Sequence, residues 1–255
     1  MWTRVFVVLA SLTISLAAHR PAMAQEPIRI LATGVFATTL RSLAEPFNAA
    51  SGHKYQVSLA NAGEVAARVA AGEPADLVMT SSASIKTLAK QGFLVPNEVA
   101  VGKMRLGVAV PSGAAADLTS PEAFRSLLLS ARSIAYIDPN GGGTSGPFFE
   151  KMLISLGIAD NVHAKAILCK TGIEVVQAVA SGKAAVGMTQ ASEIVGASEV
   201  KFAGYIPEPL NLTTAYSASM MTGSKDSKPA AAFLEFITGP VGSERLRRAG
   251  WEIDR

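Results

Sequence analysis

The stretch GEVAARVAAGEPADLVMT, residues 63–80, decides the fold, because its pattern returns as GIEVVQAVASGKAAVGMT at residues 172–189. Each copy consists of a glycine, an amphipathic helix, a second glycine, a turn of small residues and a short apolar strand ending in Met-Thr. Two similar α/β halves on one chain predict two lobes that face each other across a cleft, and such clefts are natural ligand sites. The alternative is chance recurrence of a helix–glycine–strand unit; the nearly gapless match favours a repeat.

The N-terminus has the features of an export signal. Arg4 supplies a positive charge, residues 5–18 are apolar apart from Ser and Thr, and Ala22-Met23-Ala24 has the small-residue pattern of a cleavage site. The sequence therefore predicts a signal peptide over residues 1–24 and a mature chain that begins at Gln25. A transmembrane anchor is the alternative, but the apolar run is shorter than the roughly 20 residues that span a bilayer.

The rest of the chain is long enough for one large or two modest domains. Its single cysteine, Cys169, allows no internal disulfide; it lies in a strand-like apolar run and is predicted to be a buried small hydrophobic residue. The formal net charge is only +3, and the densest basic cluster, residues 245–248, is predicted to be the solvated end of a C-terminal helix. Aromatic residues do not alternate with the basic ones, so nucleic-acid binding is not expected.

Strand and helix patterns alternate as β-α-β-α-β-α, twice, which predicts a mostly parallel sheet flanked by helices in each lobe. Two longer apolar runs, near residues 103–110 and 213–222, are predicted to cross between the lobes as hinge strands. We therefore expect lobe 1 to comprise residues 25–105 and 218–255, and lobe 2 to comprise residues 106–217.

The predicted strands end in loops rich in Gly, Ser, Thr and Asn, most of which lead directly into a helix. Ligands of open parallel sheets bind at the carboxyl ends of the strands, where a helix N-terminus offers free N–H groups and a partial positive charge. Such loops, converging on one cleft, would bind an anion without Lys or Arg. At each loop, simple N-capping is the alternative. The loops are Thr33-Gly34, Asn61-Ala62-Gly63, Thr80-Ser81-Ser82, residues 141–146, Thr171-Gly172 and Thr189-Gln190.

The loop GGGTSG, residues 141–146, is the most specific of these signals. Three consecutive glycines cost backbone entropy, which indicates close approach of a ligand. The loop is not a P-loop, because no Lys follows Gly146.

No catalytic or metal-binding constellation is evident, so we expect neither a metal nor a cofactor. His53 and His163 are predicted to face solvent. Glu64, Arg68 and Glu174 lie in the first turns of predicted helices and could reach the cleft. Alternatively, the two glutamates favour the helix dipole, and Arg68 pairs with Glu64 one turn away.

At these loops the chain resembles the type II periplasmic solute-binding proteins, and most closely their molybdate-binding branch. The strongest segment is AGEVAARVAAGEPADLV, residues 62–78, which is similar to the family's small loop, helix, AG-x-PAD turn and strand. The resemblance covers nearly the whole chain after the export signal. It implies a two-lobe α/β fold, a periplasmic location, a small anionic ligand, an ABC-transporter permease as partner, and a monomer.

The resemblance also implies the ligand contacts. Those of the first lobe fall at Thr33, Gly34, Asn61 and Ala62, and those of the second lobe at Thr144, Ser145, Ile173 and Gln190. Ser81 and Gly143, from the hydroxyl-rich and glycine-rich loops, complete the predicted set.

Three positions depart from the molybdate-binding pattern. The serines expected in the first two loops are replaced around Thr33-Gly34 and at Asn61-Ala62, and the tyrosine expected after the last repeat strand is Gln190. The donors remain while the shape has changed, so a small organic carboxylate fits at least as well as molybdate. The Gly-Thr-Ser-Gly loop looks like that of a less specific subgroup that aconitate isomerase also resembles. We therefore predict an ABC-transporter substrate-binding protein for a small anion, with a periplasmic polycarboxylate isomerase as the alternative.

Overall fold

The computed structural model describes residues 26–224 and 227–254. The predicted signal peptide lies outside the described residues. A short 3-10 turn, Gly34–Phe36, joins the first strand to the first helix. The strands are β1 (Ile28–Thr33), β2 (Tyr55–Ala60), β3 (Leu77–Ser81), β4 (Val99–Pro111), β5 (Ile134–Ile137), β6 (Ala166–Cys169), β7 (Val186–Gln190), β8 (Val200–Tyr205) and β9 (Thr213–Met220). The helices are α1 (Ala37–Ser51), α2 (Ala62–Ala70), α3 (Ser82–Lys90), α4 (Pro121–Ser130), α5 (Gly146–Ser155), α6 (Ala159–His163), α7 (Gly172–Ala180), α8 (Ala191–Val195), α9 (Ser227–Thr238) and α10 (Pro240–Arg248).

The strands form one continuous curled sheet in the order β2-β1-β3-β9-β4-β7-β5-β6, with β8 paired to β4. In the first half, β1 is parallel to both β2 and β3. In the second half, β5 is parallel to both β6 and β7. The parallel strands of each half follow the predicted alternation of strand and helix. β4, β8 and β9 are antiparallel to their partners.

Strand β4 joins the two halves of the sheet. It pairs with β9 up to Arg105 and with β7 from Leu106 onward. The change of partner falls inside the run 103–110, which the sequence predicts as a hinge strand. The exact lobe boundaries, at residues 105/106 and 217/218, stay a prediction.

The two sequence repeats form equivalent elements. Helices α2 and α7 begin in the same way: Asn61 Oδ1 accepts the amide of Glu64 at 2.9 Å, and Thr171 Oγ1 accepts the amide of Glu174 at 3.2 Å. Each helix buries valines, such as Val65 in α2, and leads back to a strand of its own half. The equivalence follows from the shared pattern of cap, apolar spacing and glycine stop.

The C-terminal helices pack on the first half of the molecule. The rings of Phe47 in α1 and Phe233 in α9 lie 5.2 Å apart, edge to face. Trp251 Nε1 donates a 3.1 Å hydrogen bond to Thr39 Oγ1. These contacts hold the end of the chain against the half in which the chain begins. The aromatic cluster there contains side chains from both ends of the chain, and their mutual burial stabilises this arrangement.

Cys169 is buried at the end of β6, as its apolar surroundings predict. Burial raises the pKa of its thiol to about 11, with the nearby charge of Glu174 adding to the effect.

The sequence pattern does not predict two short helices, α6 and α8. Five residues are fewer than two helical turns, which is too short for an apolar periodicity to show. The strand that contains Cys169 begins at Ala166, after α6. Helix α8 has a functional consequence, since it carries Glu193 to the site described next.

Candidate ligand-binding site

The carboxyl ends of strands from both halves of the sheet meet around a cavity of about 50 Å³. A single water needs roughly 10–15 Å³, so the cavity has room for a small group of atoms. From the first half it is lined by Thr33, Gly34, Val35, Ala60, Asn61, Ala62 and Tyr216; from the second, by Ile137, Gly143, Thr144, Ser145, Lys170, Thr171, Gly172, Thr189, Gln190 and Glu193.

Most of the predicted contact residues line this cavity. They are Thr33, Gly34, Asn61, Ala62, Gly143, Thr144, Ser145 and Gln190. Ser81 and Ile173 are not among the lining residues. The Ser81 hydroxyl instead accepts the Ser84 amide at 3.3 Å and so caps α3, which is the alternative that applies to any such loop. That the lining residues contact a ligand stays a prediction.

Helix N-termini at the cavity wall contribute free N–H groups and a partial positive charge. The 3-10 turn begins at Gly34, α2 at Ala62 and α7 at Gly172, and all three residues line it. Ser145 precedes α5 but forms no capping bond with that helix. The first amides of a helix have no intrahelical acceptor, so these backbones favour an anion.

The two halves are hydrogen-bonded to each other beside the cavity. Asn61 Nδ2 donates to the carbonyl of Gly141, and the amide of Gly63 donates to the carbonyl of Gly142, both at 2.9 Å. A Cβ at Gly63 would lie 3.0 Å from the Gly142 oxygen, so a glycine there permits the approach. Near the hinge, Ser192 Oγ donates to the carbonyl of Val35 at 2.8 Å. These bonds hold the two halves together beside the cavity.

Gln190 is the least satisfied polar side chain of the site. It is only 4% exposed. Among the described residues, neither its side-chain nitrogen nor its side-chain oxygen has a hydrogen-bond partner of acceptable geometry, although the side chain lies close enough to the Tyr216 hydroxyl to affect the pKa of that group. Buried polar groups almost always have partners, because an unpaired one costs about 1–3 kcal/mol. A polar ligand in the cavity would supply them.

Tyr216 brings a phenol into the cavity from β9. The sequence pattern of β9 predicts a strand but does not show which of its side chains face the site. Burial raises the pKa of the Tyr216 hydroxyl far above its usual range, while the nearby Thr144 and Gln190 side chains partly oppose the rise. The hydroxyl is therefore neutral and can donate to an anion.

Glu193 places a carboxyl in the wall of the same cavity. Thr189 Oγ1 donates a 2.6 Å hydrogen bond to Glu193 Oε2. The carboxyl lies between Gly34 and Gly172, and a Cβ at Gly34 would come 2.6 Å from Oε1. Burial raises the pKa of this carboxyl to about 7. Hydrogen bonds from the Thr189 hydroxyl and from the backbone N–H of Gln190 partly oppose the rise.

Sequence reasoning misses Glu193. A Glu three residues after the N-cap position, here Gln190, is where the glutamate of a capping box stands. However, α8 is too short to be predicted from periodicity, and a capping pattern does not indicate that the carboxyl faces a cleft. Lys170 is also missed, although it follows β6 and lines the cavity.

Glu64, Arg68 and Glu174, which the sequence offers as residues that could reach the cleft, do not line the cavity. Arg68 lies in the last turn of α2, and its Nε donates to Glu73 Oε2 at 2.6 Å. Its side-chain partner is therefore Glu73, which the turn after α2 brings back to it, and neither a cleft ligand nor Glu64. Glu174 Oε2 accepts the amide of Lys170 at 2.9 Å.

Among residues 26–224 and 227–254, no group of three or more His, Cys, Asp or Glu side chains is arranged to hold a metal ion. No helix in these ranges is both long and apolar enough to cross a membrane.

The family model of the bacterial extracellular solute-binding proteins matches residues 28–252, and the chain belongs to that family. Aconitate isomerase of Pseudomonas sp is 28% identical over 246 residues, which are 92% of each chain. The molybdate-binding protein ModA of Rhodobacter capsulatus is 24% identical over 235 residues, 91% of this chain and 90% of its own. The solved periplasmic molybdate-binding protein of Azotobacter vinelandii has a TM-score of 0.75 at 21% identity, covering 89% of this chain and 100% of that one. The predicted two-lobe type II fold and the resemblance to the molybdate-binding branch are confirmed.

Proposed function

We propose that this solute-binding protein holds a small anion in the cavity between its lobes and delivers it to the membrane permease of an ABC transporter. The observation that carries the proposal is the lining of the cavity. Helix N-termini at Gly34, Ala62 and Gly172 line the cavity together with the neutral hydroxyl of Tyr216 and the buried side-chain amide of Gln190, which has no hydrogen-bond partner within the part of the chain that the structure describes. Such neutral donors stabilise an anion.

The size of the cavity supports a small ligand or one end of a larger one. About 50 Å³ accommodates a tetrahedral oxyanion or a carboxylate group. A longer di- or tricarboxylate requires the halves to separate, which breaks the bonds from Asn61 and Gly63 to the loop at Gly141 and Gly142. We place both ligand classes within the proposal.

Residues 1–24 act as a cleavable signal, and the protein works as a monomer in the periplasm. N-terminal sequencing of the exported protein should begin at Gln25, and light scattering should give the mass of one chain.

A thermal-shift screen tests the anion site directly. Molybdate, sulfate, phosphate, succinate and propane-1,2,3-tricarboxylate are added singly to the purified protein. An anion that binds the folded state at a hundred times its Kd adds about 2.7 kcal/mol to the free energy of unfolding. If none of them raises the Tm, the proposal fails.

Paired variants test the loop after β5. The double change Thr144→Ala and Ser145→Ala should weaken anion affinity about tenfold or more while leaving the Tm of the free protein nearly unchanged, because these hydroxyls line the cavity. The control is Ser130→Ala, which removes a hydroxyl at the end of α4, outside the lining. Unchanged affinity in the double variant removes this loop from the site.

A second function, isomerisation of a small polycarboxylate, is favoured by the Glu193 carboxyl. A general base works best with a pKa near the operating pH, and the pKa of this carboxyl is raised to about 7 by burial. The carboxylate would take a proton from a methylene carbon next to a C=C bond. The C–H electron pair forms a new C=C bond, the old one opens toward its far carbon, and Glu193 returns the proton there.

Incubation with cis- or trans-aconitate, followed by proton NMR, separates the two functions. Interconversion that is abolished by Glu193→Gln would support the enzyme. Binding of either compound without interconversion would support the carrier alone.

A further inference from the structure

We propose that Glu193 binds the ligand in its protonated form and donates its carboxyl hydrogen to the anion, so that binding above neutral pH takes up one proton. The ligand class is an anion with an accepting oxygen, a carboxylate or an oxyanion. This inference rests on the proposed function, because it assumes an anionic ligand.

The Glu193 carboxyl is held in the cavity wall. A Cβ at Gly34 would lie 2.6 Å from Oε1, and one at Gly172 would overlap Oε2. The Thr189 hydroxyl holds Oε2 at 2.6 Å. The carboxyl therefore packs against the backbones of Gly34 and Gly172 and lines the cavity that a ligand would enter.

In a cavity of about 50 Å³, a bound anion lies within a few ångströms of Glu193. Two like charges at that distance in a buried site do not both remain ionised, and the pair shares one proton instead. In the free protein the carboxyl is already about half protonated near pH 7, because burial raises its pKa to about 7. A bound anion raises that pKa further.

The Gln190 side chain is 4% exposed and lacks partners among the described residues. It provides a second donor in the cavity that Glu193 lines, so an anion bound there can accept from both groups. A cavity with only a charged carboxylate would repel the anion that Gln190 is placed to bind.

Among the other titratable groups on the elements around Glu193, Tyr216 and Lys170 also line the cavity. The Tyr216 hydroxyl stays protonated with or without an anion, because burial raises its pKa far above the usual range, and Lys170 stands at an exposed position after β6. The remaining charged groups have partners elsewhere or are exposed. Arg105 pairs with Glu252 and lies over the ring of Tyr205, and Lys103 pairs with Asp254. Lys201 donates to the Ala114 carbonyl, Glu174 accepts the Lys170 backbone amide, and Arg41 and Glu45 lie on the exposed side of α1.

A purely structural role is the competing explanation. Glu193 is the third residue of α8. In this explanation its sole role is to accept a hydrogen bond from the backbone N–H of Gln190, as the glutamate of a capping box does. Gln fills that role equally well. A capping role would not link ligand affinity to pH.

Isothermal titration calorimetry in buffers of different ionisation enthalpy counts the protons that binding takes up. The probes are sulfate and propane-1,2,3-tricarboxylate, the second of which has no double bond to isomerise. We expect about one proton taken up per anion at pH 8.5 and about none at pH 6 for sulfate. The Kd should rise about tenfold from pH 7.5 to 8.5, since only the protonated protein binds.

Two variants complete the test. Glu193→Gln should bind without this pH dependence and, at pH 8.5, about 30-fold more tightly than the wild type. Thr189→Val removes the hydroxyl that stabilises the carboxylate, so the pH at which affinity falls should move upward. Glu199→Gln, an exposed glutamate beyond α8, is the matched control and should behave like the wild type.

The outcomes separate the two proposals. If neither anion binds at any pH, the proposed function fails and this inference with it. If an anion binds with no proton uptake and a Kd that is constant from pH 6 to 8.5, the proposed function stands and the inference is overturned.

Discussion

The carboxyl of Glu193 fills the space that a side chain at Gly172 would occupy. Gly172 is the first residue of α7, and a Cβ on it would overlap both Glu193 Oε2 and Thr189 Oγ1. The backbone of Gly172 is not in the left-handed region, so alanine is excluded there by contact and not by conformation. The glycine of the second repeat therefore makes room for the acid of α8.

Gly172→Ala should lower the free energy of unfolding by about 1–3 kcal/mol, the usual range for overpacking, and should weaken anion binding because it displaces the carboxyl. Urea unfolding of a double-mutant cycle with Glu193→Ala measures the coupling. The penalty of the alanine should shrink in the Glu193→Ala background, where only the Thr189 hydroxyl remains in the way. An equal penalty in both backgrounds contradicts the packing described above.

Glu193 should make the ligand-free protein less stable at high pH. Burial raises its folded-state pKa from 4.5 to about 7, so the folded state binds more protons between these values. Its contribution is fully present below pH 4.5 and is lost as pH rises through 7. Relative to Glu193→Gln, the wild type should lose on the order of 3 kcal/mol of unfolding free energy between pH 4.5 and 8. Parallel pH profiles of the two proteins would show that the carboxyl is not buried in this way.

Gln190→Met should separate stability from function. It removes two buried polar atoms that lack partners within the described part of the chain, so the Tm of the free protein should hold or rise while anion affinity falls about tenfold or more. Thr80→Val is the matched control: Thr80 Oγ1 is also buried without a partner there, but Thr80 does not line the cavity. It should stabilise without changing affinity. A loss of affinity in both variants would point to a general effect on packing.

Asn61→Ser should weaken the closed state while keeping α2 capped. Serine can still accept the Glu64 amide but is too short to reach the Gly141 carbonyl, which Asn61 Nδ2 contacts at 2.9 Å. Anion affinity should fall several-fold with little change in unfolding free energy. Asn61→Ala should cost about 1 kcal/mol more, because it also loses the cap. Titration and urea unfolding of both variants distinguish the two roles, and unchanged affinity in Asn61→Ser would rule out the interlobe bond as a latch.

The loops that form the candidate site could be predicted from the sequence. The side chains that these loops and the neighbouring elements bring into the site could be predicted less well. The loops at Thr33, Asn61 and Thr144 end strands whose periodicity is visible, and parallel strands bring their carboxyl ends together. Their lining of one cavity is therefore foreseeable. The same logic misplaced Arg68, because its partner Glu73 lies beyond a turn whose path the periodicity does not describe.

The sequence by itself determined the two repeats, the two-lobe fold and the loops that surround the cleft. It also predicts the export signal. These features depend on local patterns: helical spacing, caps and glycine stops act between residues a few positions apart. Only the tertiary structure decided that Glu193, Gln190 and Tyr216 share one cavity. Their proximity to Gly34 comes from the pairing of β4 with β7 and β9 across the whole sheet. Contacts between residues so far apart along the chain leave no periodicity in a single sequence, and burial, which sets the charge of Glu193, exists only once both halves have come together.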